Sequence, residues 1–218
     1  KIKTNNPEWS VNDGVCSRCV DYYHVEIVRE QRILPEVGPH FPVKSADDFV
    51  ILPTALRVDA HPRYTGKGIT ICFIDSGFYP HPDLVQLRNR VKAYVDVCDP
   101  SADVSSWMAS KQVSADKWHG TMTTVVGAGD GYLSGGLYRG IASDADLVLI
   151  KVQDETGRIR TENIVKALLW VVENHAYYGI RIVNMSLGDE KDCSYKESDI
   201  DLLAETLIEQ GISIVAAV

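Results

Sequence analysis

Short apolar runs recur along the chain from about residue 69 onward. Each run is rich in Val, Ile or Leu and is bounded by polar or glycine-containing segments. The run 69–74 is apolar and rich in β-branched residues, which is typical of a strand buried on both faces of a parallel sheet. The runs that we interpret as strands are residues 69–74, 91–97, 147–152, 180–187 and 212–218.

Amphipathic stretches separate these runs in the second half of the chain. Apolar residues recur every three or four positions after Thr161 and after Asp199, which predicts helices capped by these two residues. The first helix should reach about Ala176, and the second should end before Gly211. Small and apolar residues predict another helix over 119–128, preceded by a polar loop over 98–118. The alternation indicates an α/β fold: a doubly wound, mostly parallel sheet with helices on both faces.

Residues 1–50 show no sustained period of either kind. Turn signals such as Asn12-Asp13-Gly14 and Gly38-Pro39 interrupt them, and only residues 22–33 suggest a strand or hairpin. We interpret residues 1–50 as an N-terminal extension that is distinct from the α/β domain of residues 51–218.

Charge and hydropathy argue against two classes of main partner. The 22 Lys and Arg residues against 30 Asp and Glu give a net charge of −8, which argues against nucleic acid. No apolar run approaches the roughly 20 residues that cross a bilayer, so we expect no membrane partner. The sequence starts without Met and without an apolar signal core, so we expect the true start to lie elsewhere. Localisation and oligomeric state stay open.

The five cysteines do not form a metal-site pattern. Cys16 and Cys19 are close enough for half a zinc site or a redox pair, with His24 nearby, but no second pair with matching spacing follows. Unpaired thiols are therefore our main interpretation, and we assign no metal ligand. Structural calcium on the carboxylates of the 98–118 loop is a minor alternative, because the loop lacks alternating ligands and a shaping glycine.

Asp75 is the first candidate for chemistry. It follows the apolar run 69–74 and precedes Ser76 and Gly77. In open α/β sheets the crevice beyond the carboxyl ends of the strands is where ligands bind. A lone carboxylate at this position is equally consistent with a loop anchor or a helix cap, so the assignment depends on a second motif.

His119 supplies that second motif. It begins the stretch H-G-T-M-T-T-V-V-G-A-G, where it is expected at the start of a helix. An isolated histidine there is most often a surface residue, but imidazole is also the commonest general base at neutral pH.

Three motifs together resemble the subtilisin-like serine proteases, the subtilase family. They are D-S-G at Asp75, H-G-T at His119 and N-M-S-L-G from Asn184, in the family's order, and the resemblance covers residues 64–218. It implies a serine endopeptidase in which Asp75 orients His119 and His119 takes the proton of a nucleophilic serine. A polypeptide is the implied substrate, and no cofactor is required for the chemistry.

The resemblance also implies two substrate-binding segments. Ser186, Leu187 and Gly188 correspond to a backbone rail and one wall of the primary specificity pocket, and Gly157, Arg158 and Ile159 correspond to a second rail. A peptide that lies between them would pair as an added strand. Residues 1–50 would then be an extension or the remnant of a propeptide.

The sequence departs from the family pattern in two places. Met122 stands where many members have a second histidine, which is outside the triad. More importantly, no G-T-S box for the nucleophile occurs among the 218 residues. We expect an excerpt of a longer protease, with the serine and the oxyanion Asn beyond residue 218, and we expect these residues alone to be inactive.

Two alternatives belong to other classes. A non-catalytic subtilase-like module would keep the peptide rails but lack a nucleophile throughout. A phosphoryl-transfer domain would need a second acidic residue two positions from Asp75 or a glycine-rich phosphate loop. Neither feature occurs in the sequence, and that class gives His119 no role.

Overall fold

A single parallel sheet organises the part of the chain that the computed structural model describes, namely residues 8, 10, 54–61, 63–110, 114–188 and 194–217. The strands are β1 (Thr70–Asp75), β2 (Val91–Asp96), β3 (Asp146–Lys151), β4 (Ile180–Met185) and β5 (Ser213–Ala216). Their order in the sheet is β2-β3-β1-β4-β5, and every neighbouring pair is parallel. Of the described strands, the first in sequence is therefore central, between β3 and β4.

Helices cover both faces of this sheet. They are α1 (Thr54–Arg57), α2 (Pro82–Val85), α3 (Val104–Ala109), α4 (Ala115–Ala128), α5 (Thr161–Tyr178) and α6 (Asp199–Glu209), with a 3₁₀ turn at Tyr132–Ser134. Apolar residues of α5 and α6 pack in one core cluster, and those of α2, α3 and α4 pack in another. The doubly wound α/β architecture predicted from the sequence is confirmed.

The central strand contributes to both clusters. Cys72 and Ile74 face α5 and α6, whereas Ile71 and Phe73 face the other helices. Successive side chains of a strand point to opposite faces, so a strand covered on both sides must be apolar throughout. This explains why β1 appears in the sequence as a continuous apolar run that ends at Asp75.

The strand predictions hold, with ends that shift by one to two residues for most of them. The predicted polar loop 98–118 is wrong in part, because it contains α3 and the first residues of α4. Asp103 caps α3 in a reciprocal bond with Ser106, and Trp107 is buried with its indole N–H donating to Phe78 O at 3.0 Å. One buried residue in a short polar helix leaves no hydrophobic period to detect.

The predicted caps of the two long helices are also displaced by one residue. Arg160 is the residue before α5, without a capping side chain, and Thr161 is already helical. Ser198 caps α6 by accepting the N–H of Asp201 at 3.3 Å, and Asp199 is its first helical residue.

Some predictions lie outside the described residues. They are the hairpin at 22–33, the Cys16 and Cys19 pair, and nearly all of the N-terminal extension. Among the helices that are described, none has the length and apolar character needed to cross a membrane.

Candidate active site

Asp75 lies at the carboxyl end of the central strand, where its side chain is only 2% exposed. The strand before it is held on both sides, by β3 and by β4, so its backbone is fixed. The carboxylate Oδ1 accepts the backbone N–H of Ser76 at 2.7 Å and the Ser76 hydroxyl at 3.1 Å. A buried carboxylate needs such donors, because removing it from water without compensation is costly.

His119 completes a pair with this carboxylate. Its Nδ1 lies 2.9 Å from Asp75 Oδ1 and 3.0 Å from Oδ2. An ionised carboxylate can only accept hydrogen bonds, so in neutral imidazole the Nδ1 carries the hydrogen and Nε2 keeps its lone pair. The histidine side chain is 43% exposed while its partner is buried. The pair therefore presents an oriented imidazole to solvent.

Two glycines allow helix α4 to approach the end of β1 this closely. A Cβ at Gly120 would collide with the carbonyl oxygen of Gly77 and would lie 2.9 Å from the Asp75 Cβ. A Cβ at Gly77 would lie 3.2 Å from Asp116 O. Any larger side chain at Gly120 must push the helix away, and His119 moves with the helix.

Hydroxyl groups also hold α4 against the residues that follow β1. The Ser76 hydroxyl donates to Asp116 O at 2.8 Å, and the Thr121 hydroxyl accepts the N–H of Tyr79 at 2.8 Å. The Thr123 hydroxyl lies 3.4 Å from Asp75 Oδ2. The sequence interpretation did not assign these residues, although the small polar residues of D-S-G and H-G-T-M-T-T are the signal that marks them.

The position of His119 in its helix corrects one expectation. The histidine was expected at the helix start, but α4 begins four residues earlier, at Ala115. His119 therefore lies in the second turn of α4, directly above the buried Asp75 carboxylate.

Ser186, Leu187 and Gly188 follow β4 directly. Met185, the last residue of that strand, is paired with Ile74 of β1, so the three residues continue beside Asp75. The Ser186 hydroxyl accepts a hydrogen bond from Asn184 Nδ2 at 3.0 Å, while Leu187 packs on the core cluster of α5 and α6. Gly188 is exposed.

Gly157, Arg158 and Ile159 lie in the loop after β3, on the other side of β1. All three are exposed, and Gly157 has a φ of +80°, a conformation that favours glycine. Ile159 forms an isolated antiparallel bridge with Gln153. β3 and β4 flank β1 and run parallel to it, so the segments that follow them lie beside Asp75. Both predicted substrate segments and the Asp75–His119 pair are therefore at the carboxyl ends of the strands.

Two acidic side chains of the 96–101 region make local contacts. Asp99 accepts two hydrogen bonds from Ser101, and Lys151 lies 2.7 Å from Asp96 in an ion pair. No group of three or more His, Cys, Asp or Glu side chains in the described part of the chain is arranged to hold a metal ion.

Comparisons with known proteins agree with this geometry. The model of the family described as "Subtilase family" matches residues 66–218. Serine protease AprX of Bacillus subtilis is 32% identical over 129 residues, which are 58% of this chain and 26% of that protein. The minor extracellular protease Epr of the same organism is 31% identical over 155 residues, 70% of this chain and 20% of its own length.

Solved structures show the same similarity. Sphericase superposes with a TM-score of 0.55 at 27% identity, over 70% of this chain and 46% of its own. The Clostridium perfringens CspB protease has a TM-score of 0.61 over 74% of this chain and 38% of its own, and at 19% identity it supports the fold alone. The chain spans about a quarter or less of the two curated relatives and under half of these structures.

Proposed function

This chain belongs to the subtilase family, and from that membership we propose that it supplies the aspartate and the histidine of the catalytic triad of a serine endopeptidase. The observation that carries the proposal is the contact of His119 Nδ1 with both carboxylate oxygens of Asp75, at 2.9 and 3.0 Å. A buried carboxylate that orients a half-exposed imidazole is the arrangement that activates a hydroxyl nucleophile.

Each member of the pair has a distinct task in this proposal. Asp75 accepts the Nδ1–H of His119, which fixes the tautomer and stabilises the imidazolium that forms. Nε2 of His119 takes the proton of a serine hydroxyl as its oxygen attacks the scissile carbonyl. The imidazolium then gives that proton to the departing amine nitrogen.

The serine itself is proposed to come from the full-length protease. The 218 residues contain no G-T-S box, and we infer that sequence after Val218 supplies the nucleophile and the oxyanion Asn. The 218 residues alone are then expected not to hydrolyse peptide bonds, although they carry the general base.

The substrate proposed for this site is an extended polypeptide. It would lie between the segment Gly157–Ile159 and the segment Ser186–Gly188, which follow the two strands that flank β1. Main-chain pairing with these segments would supply affinity, and side-chain pockets would supply specificity. No cofactor is needed for this chemistry.

Covalent labelling of the full-length protein with a fluorophosphonate serine probe tests the proposal. Wild-type protein should label, and His119→Ala should label at least about a thousandfold more slowly, because the hydroxyl loses its base. The matched control is His175→Ala. His175 lies in the last turn of α5, which leads into the amino end of β4, so it is at the end of the strands opposite the site. Its replacement should leave labelling unchanged.

The result also decides between the two functions that the sequence left open. A full-length protein that never labels, or a His119→Ala variant that labels at the wild-type rate, would overturn the catalytic assignment. Retained peptide binding in such a protein would then indicate a non-catalytic binding module.

A further inference from the structure

One carboxylate holds the loop between β3 and α5. Asp154 Oδ1 accepts the N–H of Thr156 at 2.9 Å, the hydroxyl of Thr156 at 2.6 Å and the N–H of Arg158 at 3.0 Å. Its Oδ2 accepts the Nε–H of Arg160 at 2.7 Å. The Asp154 side chain is 15% exposed, although residues 155–160 around it are exposed. The loop thus folds around a single acidic side chain.

Backbone pairing within the same loop shows which of its backbone groups face outward. Asp154 N–H donates to Arg158 O at 2.9 Å, next to the antiparallel bridge of Gln153 with Ile159. A bridge flanked by that bond is a non-hydrogen-bonded pair, so the N–H and C=O of Ile159 point away from the hairpin. The N–H of Arg158 is bound by the carboxylate, and Gln153 Nε2 donates to Gly157 O at 2.8 Å. Ile159 therefore offers its backbone groups to another strand.

The base of the loop is joined to the candidate active site. The N–H of Val152, the residue before Gln153, donates to Asp75 O at 3.0 Å. Val152 O accepts a hydrogen bond from the buried Asn163 Nδ2, also at 3.0 Å. The position of Ile159 relative to the Asp75–His119 pair consequently depends on the few residues between Val152 and Ile159, and Asp154 organises these residues.

We propose that Asp154 is a positioning residue for substrate binding, which holds the backbone of Ile159 ready to pair with an extended peptide. This inference rests on the proposed endopeptidase function and adds a residue that touches neither the reacting atoms nor the substrate. Asp154 acts only through the loop. Its loss weakens binding of peptides that reach Ile159 and spares substrates that occupy only the position next to the cleaved bond.

The test compares two substrates with the full-length protease. One is an acyl amino-acid ester with a single residue before the cleaved bond, and the other is a tetrapeptide that extends along the loop. Asp154→Ala should raise KM for the tetrapeptide about tenfold, which corresponds to about 1.4 kcal/mol of binding free energy, because backbone hydrogen bonds to the peptide are weakened. Its kcat on both substrates should stay within about twofold of wild type, as expected when only uniform binding is lost.

Two further variants separate positioning from general damage to the loop. Glu155→Ala removes the adjacent exposed carboxylate, which makes none of these hydrogen bonds, and should leave both substrates unchanged. Asp154→Asn keeps an oxygen for Thr156 and Arg158 but turns an N–H₂ group toward Arg160. It should restore most of the tetrapeptide affinity lost in Asp154→Ala.

The outcomes are distinct. A loss in Asp154→Ala that is equal for the ester and the tetrapeptide, or no loss for either, overturns the positioning role while wild-type labelling by the fluorophosphonate probe still supports the protease. A selective loss for the tetrapeptide, with the probe labelling Asp154→Ala at the wild-type rate, supports it. Wild-type protein that never labels shows instead that the proposed function has failed, and the positioning role falls with it.

Discussion

The Asp75–His119 pair and the loop of residues 154–160 each depend on an aspartate, but the contacts around the two aspartates differ in how far apart they lie in the sequence. Asp75 is buried beneath a helix that two glycines bring into backbone contact with its strand. Asp154 sits in an exposed loop that it organises through hydrogen bonds to residues at most six positions away. The first arrangement is tertiary, and the second is local.

The difference indicates which part of the site tolerates change. The closely packed contact around Asp75 should tolerate few substitutions, because a filled interior cannot accommodate an added methyl group without strain. A loop held by side-chain hydrogen bonds can accept new residues at its exposed positions, such as Arg158 and Ile159, as long as its acceptor remains. In the proposed protease, packing would fix the positions of the catalytic side chains, whereas substrate recognition would rest on a loop whose exposed residues can change.

The largest expected effect comes from making the same substitution in both regions. Asp75→Asn should lower kcat of the full-length protease on the order of 10⁴-fold, because an amide no longer fixes the histidine tautomer. Asp154→Asn should change kcat by less than about twofold, because only loop bonds are altered. Steady-state kinetics on the tetrapeptide measure both, with thermal melting to show that both variants fold. Similar losses of kcat would abolish the distinction between the regions.

A smaller but still severe effect is expected for Gly120→Ala. The new Cβ collides with Gly77 O, so α4 must move away from β1. We expect a loss of about 3 kcal/mol in the free energy of unfolding, and about a hundredfold loss of turnover from displacement of His119.

Gly127→Ala is the control for that variant, in the same helix. Its Cβ would lie 3.3 Å from the Phe73 ring, a contact that a slight movement of the ring relieves, and alanine favours the helix by about 1 kcal/mol. Denaturant unfolding and turnover should both stay near wild type. A Gly120→Ala protein as stable and active as this control would show that close packing does not position the pair.

The smallest effect concerns pH. Hydrogen bonds from Arg160, Thr156 and Arg158 hold the pKa of Asp154 well below its ordinary value. Ionised Asp154 therefore stabilises the folded loop fully above the ordinary aspartate pKa of about 4. This stabilisation is lost only as the pH falls through the lower pKa that Asp154 has in the folded protein. The ratio of KM for the ester to KM for the tetrapeptide should be constant between about pH 5 and 9. An inflection in that range would mean that another group controls the loop.

Local sequence predicted the elements of the site better than their assembly. Asp75 could be placed at a strand end because the apolar run before it is continuous, and His119 could be assigned because its motif follows in family order. The start of α4 at Ala115 was missed, since Ala115, Asp116 and Lys117 are exposed or half-buried and show no apolar period. The role of Asp154 was missed because an aspartate in a polar loop looks ordinary until its acceptor bonds are seen.

The sequence by itself determined the strands, the α/β class, the family and the two residues that we assign to chemistry, because these follow from local periodicity and short motifs. Only the tertiary structure decided that β1 lies between β3 and β4, which places both proposed substrate segments beside Asp75. It also decided that Gly120 meets Gly77, which brings Nδ1 of His119 to 2.9 Å from the carboxylate. Strand order and helix approach depend on contacts between residues that are distant in the sequence, and no local pattern specifies them.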